Sequence, residues 1–295
     1  MNPLVSVCIP TYNNPDGLRK TLANITSQSY KNLEIIISDN CSPNTEVQEI
    51  IQGFAAIDSR IISYRQESWV VVDLNFRFVQ AKATGKYMMF AQDDDQWSQT
   101  YIEKLVEGLE ANPDIPVASC PGQYMIADGR KSEVHWLDNL TPFKITGNGD
   151  LCFVTMGVWR NGYIQKYSPN FPAQDVSKGI GAIYGEDLIM IGHILMIYGK
   201  VVVVPSERYV KGFKVGGFAA CFIDDPFYSY RSWYHMMKFY AQSPNIPDER
   251  KFLLPIVAIT NLFRATAITM VQLAVSLPEG SYIRRKVQQR FFGAN

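Results

Sequence analysis

Along the first third of the chain, short apolar runs alternate with stretches in which apolar residues recur at helical spacing. Val5-Ser6-Val7-Cys8-Ile9 is rich in β-branched residues and stopped by Pro10, which predicts a strand running into a turn. Leu18, Leu22 and Ile25 follow at helical spacing, with Asp16 placed to cap that helix. Residues 33–37 read as a second strand ending at Ser38-Asp39-Asn40, and residues 60–64 as a third. Val47, Ile50, Ile51 and Phe54 mark the helix between them. A helix over 74–83 ends at Gly85, and Tyr87-Met88-Met89-Phe90-Ala91 predicts a fourth strand. Strands that are apolar along their whole length, alternating with helices, are the pattern of an α/β fold. Its mostly parallel central sheet has helices on both faces.

The middle of the chain is less regular. Residues 117–120 predict a strand, and 123–127 with 133–137 a hairpin around Asp128-Gly129. Residues 138–180 are rich in Gly, Asn and Pro and carry no assignable element. Glu186-Asp187 then opens a helix (Leu188, Ile191, Ile194, Leu195) that Gly199 ends, and 201–204 read as a strand.

The fourth strand delivers Asp93-Asp94-Asp95. Three adjacent carboxylates repel one another, and at the end of a buried strand they make a place for a hard divalent cation. The competing reading is an acidic loop opening a helix near Ser98, where carboxylates meet the positive end of the helix dipole. In parallel sheets ligands sit beyond the carboxyl ends of the strands. Here three of those ends are polar: Pro10-Thr11-Tyr12-Asn13, Asp39-Asn40-Cys41-Ser42 and Asp93-Asp94-Asp95. Their convergence is the core of the functional expectation.

Several classes drop out. No GxGxxG follows the first strand and no GxxxxGK[ST] occurs, which removes the dinucleotide fingerprint and the P-loop. His135, His193 and His235 lack metal-ligand spacing, and His193 lies in an apolar helix as an expected core or edge residue. Lys+Arg and Asp+Glu are each 28 in 295 residues, so no basic excess points to nucleic acid. The five cysteines form no CxxC pair, which fits a reducing compartment, with Cys8 and Cys120 as buried hydrophobes. No charged-then-apolar leader stands at residue 1, so a cytoplasmic location is expected.

Three segments now stand together in order: residues 5–13, residues 32–42 (Asn32-Leu33-Glu34 through Asn40-Cys41-Ser42) and residues 85–95 (Gly85-Lys86-Tyr87 through Asp93-Asp94-Asp95). The set resembles family 2 glycosyltransferases of the GT-A fold, and Glu186-Asp187 resembles that family's later acidic motif. The resemblance covers roughly residues 4–210. It implies that Pro10, Thr11, Tyr12 and Asn13 line a nucleotide pocket, with Tyr12 near the base. Asp39 would accept from the base imide, Asp93 would face the ribose or sugar, and Asp94 would bind the cation bridging the diphosphate. Asp95 would assist or replace Asp94, and Asp187 would be the general base. Two positions depart from the commoner pattern: Gln92 where Asp is usual, and Asn40 where a second acid often follows Asp39. No QxxRW occurs, which points to transfer of single sugars rather than processive synthesis.

The chemistry behind that resemblance is plain. A nucleoside diphosphate leaves as the glycosidic bond breaks, and Mn or Mg held by carboxylates neutralises its charge. The acceptor hydroxyl must lose a proton to a carboxylate within reach, which gives inversion in a single displacement. Glu186 would contact the acceptor or diphosphate, although Glu186 and Asp187 also suit a plain helix cap. Lys211 and Lys214 stand in a Gly-punctuated segment that could close over the diphosphate, or they are solvated surface lysines.

The expected organisation is a catalytic domain over 1–215, its nucleotide half to about 120, and a C-terminal helical region over 216–295. Within 252–277 Ile259, Leu262, Phe263, Met270 and Leu273 share one helical face, with Asn261, Arg264 and Gln272 opposite. The tail mixes Tyr282, Ile283, Phe291 and Phe292 with Arg284, Arg285, Lys286 and Arg290. Peripheral contact of 252–295 with the inner face of the cell membrane is one reading; packing on the catalytic domain or in a homodimer is the other. The expected activity is inverting transfer of one sugar, from a UDP-sugar by preference, to a glycan or lipid-linked glycan of a surface polysaccharide. A sugar nucleotidyltransferase and a non-catalytic nucleotide-sugar scaffold are the alternatives.

Overall fold

The computed structural model describes residues 2–125, 131–133, 156–167, 186–211 and 237–275, with Tyr234 and residues 281–283. The first half alternates as the pattern requires: β1 (Val5–Thr11), α1 (Pro15–Thr26), β2 (Leu33–Asp39), α2 (Glu46–Ile57), β3 (Ile61–Arg65), α3 (Val72–Lys82) and β4 (Tyr87–Phe90). Then come β5 (Gln96–Trp97), α4 (Tyr101–Glu110), β6 (Val117–Ser119), β7 (Gly122–Met125) and β8 (Lys131–Glu133). The later chain adds β9 (Val158–Arg160), α5 (Asn161–Tyr167), α6 (Glu186–Tyr198), β10 (Val202–Val203) and β11 (Tyr209–Lys211). Two helices follow, α7 (Asp248–Lys251) and α8 (Leu254–Val275).

Seven strands form the main sheet in the order β10-β6-β9-β4-β1-β2-β3. β1 is its axis, fully buried and parallel to both β2 and β4. Register pairs Val5 with both Leu33 and Tyr87, and Thr11 with Asp39, so the polar ends of three strands emerge on one side. The sheet is mostly parallel. The exception is β9, which lies antiparallel between β4 and β6 and comes from the stretch without an assignable element. Trp159 on β9 is almost wholly buried, so burial of one large side chain holds a strand too short to show a period. A second sheet has the order β5-β11-β7-β8. In it β7 and β8 pair antiparallel, the second arm lying over Lys131–Glu133, while the expected turn at Asp128-Gly129 and residues 134–137 lie outside the described residues.

Two local expectations shift. The helix expected from near Ser98 begins at Tyr101, because Gln96 and Trp97 pair first with Val210 and Tyr209 of β11. The cap of α1 is Asn14 rather than Asp16: Pro15 takes the first helical position and the Asn14 side chain accepts from the Gly17 amide. Asp16 stays in the first turn, where its charge suits the dipole. Cys8 and Cys120 are buried thiols, and burial pushes Cys120 up to about 12, so neither is a reactive nucleophile. Cys152 and Cys221 lie outside the described residues.

The C-terminal helices join the same core. Tyr240, Ile246 and Val257 are buried with Ile191, Ile194 and Leu195 of α6. α6 ends in a left-handed glycine, Gly199 (φ 75°), and the Arg250 guanidinium donates to the last-turn carbonyls of Leu195 (3.4 Å) and Met196 (3.2 Å). Among the described residues no helix is long and apolar enough to cross a membrane.

His193 on α6 is a core residue, as its apolar surroundings imply. Its Nδ1 meets the Tyr163 hydroxyl at 2.9 Å and its Nε2 the Ser243 hydroxyl at 2.6 Å, so the neutral ring donates at one nitrogen and accepts at the other. Burial, aided by the charge of Lys166, lowers its pKa to about 4. The unfolded chain therefore takes up a proton near pH 6.5 that the folded chain refuses until about pH 4. Stability should fall as pH drops through that window, by on the order of 3 kcal/mol in full. Denaturant midpoints from pH 7 to pH 4.5 check this, and His193→Gln should flatten the decline.

Candidate active site

The turn after β1 is built to hold the acidic loop. Asn13 takes a left-handed conformation (φ 50°), a region Asn tolerates, and its amide donates to the Ser42 hydroxyl at 2.8 Å. Asn14 caps α1 with its oxygen while its Nδ2 donates to the Asp93 carbonyl at 2.9 Å. Thr11 donates to Asp93 Oδ2 at 2.6 Å, and the Thr21 hydroxyl donates to the Gln92 carbonyl at 3.1 Å. Gly17 is required by this contact. A Cβ there would lie 2.0 Å from the Asp93 carbonyl oxygen, far inside any real separation. The first strand end and the acidic strand end are thus one hydrogen-bonded unit.

The three adjacent aspartates have three different situations. Asp93 is half-buried and accepts from Thr11. Asp95 is buried, and the Tyr209 hydroxyl of β11 donates to its Oδ2 at 2.5 Å. Asp94 is half-buried and has no hydrogen-bond or ion-pair partner among the described residues. A carboxylate kept free between two engaged neighbours, on a loop pinned from α1, is the strongest cation candidate here. No cluster of three or more His, Cys, Asp or Glu among the described residues could hold a metal. A half-buried carboxylate of this kind suits a hard ion that takes one or two carboxylates from protein and the rest from phosphate and water, as Mg does.

Asp39 is wholly buried at the end of β2, and four donors converge on it. Oδ1 accepts from the Ser42 amide (3.0 Å) and hydroxyl (2.5 Å); Oδ2 accepts from Gln48 Nε2 (2.6 Å) and pairs with the Arg65 guanidinium. Arg65 also donates to the Ser42 carbonyl at 3.0 Å. With its acceptor positions filled, Asp39 receives a nucleobase donor only if Gln48 or Arg65 yields its place. Next to it Asn40 makes a reciprocal pair with Val70, Nδ2 to carbonyl at 2.7 Å and amide to Oδ1 at 2.9 Å. Tyr12 stays 42 % exposed, free to lie against a planar ligand. Replacing Arg65 by Met should cost about 2 kcal/mol, because it leaves a buried carboxylate without its cation. The figure stands below the usual value for a broken buried pair since the Arg65 side chain is 41 % exposed. Urea unfolding at pH 7 measures the loss.

Glu186 and Asp187 form the first turn of α6, and Lys211 ends β11; these positions follow from the backbone. Lys214 lies outside the described residues. One buried acid went unnoticed in the sequence: Glu207 accepts from Ser98 (2.5 Å) and Thr100 (3.0 Å) and ties β11 to the start of α4. Arg65, Gln48, Asn14, Thr21 and Tyr209 were likewise missed. Only Asn14 carried a signal, being a good cap residue directly before Pro15.

Similarity to known proteins agrees with this geometry. Glycosyl transferase family 2 matches residues 6–160. The putative teichuronic acid biosynthesis glycosyltransferase TuaG of Bacillus subtilis is 34 % identical over 106 residues, which are 36 % of this chain and 41 % of TuaG. The Escherichia coli UDP-Glc:alpha-D-GlcNAc-diphosphoundecaprenol beta-1,3-glucosyltransferase WfaP is 35 % identical over 108 residues, again 36 % and 41 % of the two chains. The chain thus spans less than half the length of these curated relatives. Among solved structures, S. aureus TarS 1-349 in complex with UDP-GlcNAc superimposes with a TM-score of 0.72 at 12 % identity, covering 97 % of this chain and 80 % of TarS. The mannosyltransferase PcManGT from Pyrobaculum calidifontis, in complex with GDP-Man and Mn2+, gives 0.61 at 17 % identity over 99 % and 80 %. Those two likenesses establish the α/β fold, and the match over more than half the chain establishes the kinship: this protein belongs to glycosyl transferase family 2.

Proposed function

We propose that the protein transfers one sugar from a nucleotide-diphosphate sugar, UDP-linked by preference, to a hydroxyl of a glycan acceptor in surface polysaccharide biosynthesis. The observation that carries this reading is the free Asp94 carboxylate on a loop locked by Thr11, Asn14 and Thr21. Relatives named for teichuronic acid biosynthesis and for glucosyl transfer from UDP-Glc support the substrate class. A divalent cation held at Asp94, with Asp95 as its reserve, would neutralise the departing diphosphate. Mn and Mg both suit oxygen ligands, and the Mn2+ bound with GDP-Man in PcManGT supports the assignment.

The residues divide the work. Pro10, Thr11, Tyr12 and Asn13 form the wall against which the nucleoside lies, with the exposed Tyr12 ring available for stacking. Asp93, already oriented by Thr11, takes the ribose or sugar hydroxyls. Asp39 accepts the imide N–H of the base once Gln48 or Arg65 moves aside. Asp187 takes the proton of the acceptor hydroxyl as it attacks the anomeric carbon, which inverts the configuration. Glu186, next to it in the sequence, and Lys211 and Lys214 are the groups assigned to the acceptor and the diphosphate. A lipid-linked acceptor places the reaction at the inner membrane face, where the basic, aromatic tail over 282–292 would meet anionic headgroups.

The test is transfer from UDP-glucose and UDP-GlcNAc to a polyprenyl-diphosphate-linked sugar in Mn2+, with the product linkage read by NMR. An inverted anomer supports the single displacement. A retained anomer, or a product nucleotide that keeps the sugar attached, contradicts it.

A further inference from the structure

The exposed side of α8 carries a surface that the proposed reaction does not use. Phe252, just before the helix, and then Ile256, Ile259, Phe263, Met270 and Leu273 are all exposed, Phe263 by 74 % and Met270 by 64 %. The opposite side of its first turns is the anchored one, with Val257 buried and Leu253 and Leu254 packed on the core. Large apolar side chains exposed in a single row on a fixed helix mark a docking surface rather than scatter.

Their spacing identifies the occupant. Positions 252, 256, 259, 263, 266, 270 and 273 advance by alternating steps of four and three residues. That is the 3.5-residue repeat of a helix whose seam meets another helix, and only Thr266 interrupts its apolar character. The six apolar side chains with neighbouring Leu262 expose roughly 800 Å² of surface, the share each partner gives to a standard stable interface. A helix lying on an anionic lipid surface needs cations flanking its apolar face. From Phe252 to Val275 the sequence holds one charged residue, Arg264.

We propose that α8 pairs with α8 of a second copy of this chain through the seam Phe252–Leu273, forming a homodimer. A heptad seam is self-complementary, so a two-fold axis lets each copy present the same residues to the other. This reading is independent of the sugar-transfer assignment, because the seam carries none of the residues assigned to the donor, cation or acceptor.

The test is the mass of the full chain in solution by light scattering and sedimentation equilibrium. The expected result is a dimer at concentrations near 10 μM, in the ordinary range for an interface of this size. Phe263→Glu with Met270→Glu should give a monomer whose circular dichroism and donor binding match the unaltered chain. Thr266→Leu, which fills the polar gap in the seam, should tighten the dimer about tenfold. A monomer up to about 100 μM overturns the proposal. So does a charged double variant that remains dimeric, or a Thr266→Leu chain that dimerises no more tightly. Flotation of monomers with vesicles of phosphatidylglycerol and phosphatidylethanolamine, abolished by the same double charge substitution, would assign the seam to lipid instead.

Discussion

Asp187→Asn is expected to lower sugar transfer by about 10³-fold while leaving the affinity for the nucleotide-sugar donor within about twofold. The amide keeps the size and hydrogen-bonding reach of the carboxylate and removes only its capacity to take a proton. Asp187 opens α6, a helix held at its far end by Gly199 and Arg250 and at its middle by His193. Its backbone is therefore anchored, and a change of side chain should not move the helix. Single-turnover kinetics with donor binding by calorimetry separate the two quantities. If Asp187 were only a helix cap, transfer would survive at near-normal rate and stability would drop by about 1 kcal/mol.

Asp94→Asn should have an effect of similar size by a different route. If Asp94 holds the proposed cation, its loss should lower turnover by about 10³-fold, and added Mn2+ should no longer strengthen diphosphate binding. The neighbouring substitutions should behave differently. Asp95→Asn disturbs the buried bond from Tyr209 and with it the join between β5 and β11, so it should register first as lost stability. Asp93→Asn keeps an acceptor for Thr11 and should raise the donor KM more than it lowers kcat. Titration of nucleoside diphosphate binding with and without Mn2+ distinguishes the three.

The parallel frame was legible because β1, β2 and β4 are apolar along nearly their whole length, and only a two-faced sheet buries such strands. Their polar ends were legible for the same reason: once the strands are parallel neighbours, Thr11, Asp39 and Asp93 must emerge together. What joins those ends was not legible. Arg65 reaches Asp39 only because β2 and β3 pair in register, and Tyr209 reaches Asp95 across 114 residues of chain. Neither register nor long-range pairing leaves a periodic trace. The different situations of the three aspartates follow from those bonds, so the sequence presented one acidic run where the structure has one carboxylate without a partner among the described residues between two engaged groups. β9 escaped because three residues are too few to show alternation, and its burial depends on β4 and β6 on either side. The helix face of α8 was legible in part; its 3.5-residue repeat becomes meaningful only once Val257 and Leu253 show which side is anchored.

The most direct test of the central claim is binding and turnover across UDP-, dTDP-, GDP- and CDP-sugars, each with Mn2+, with Mg2+ and with chelator. Metal-assisted sugar transfer requires that one donor class binds and releases its nucleoside diphosphate, with release lost in chelator and lost again in Asp94→Asn. A folded protein that binds none of these donors would contradict it, as would metal-independent release that Asp94→Asn leaves unchanged.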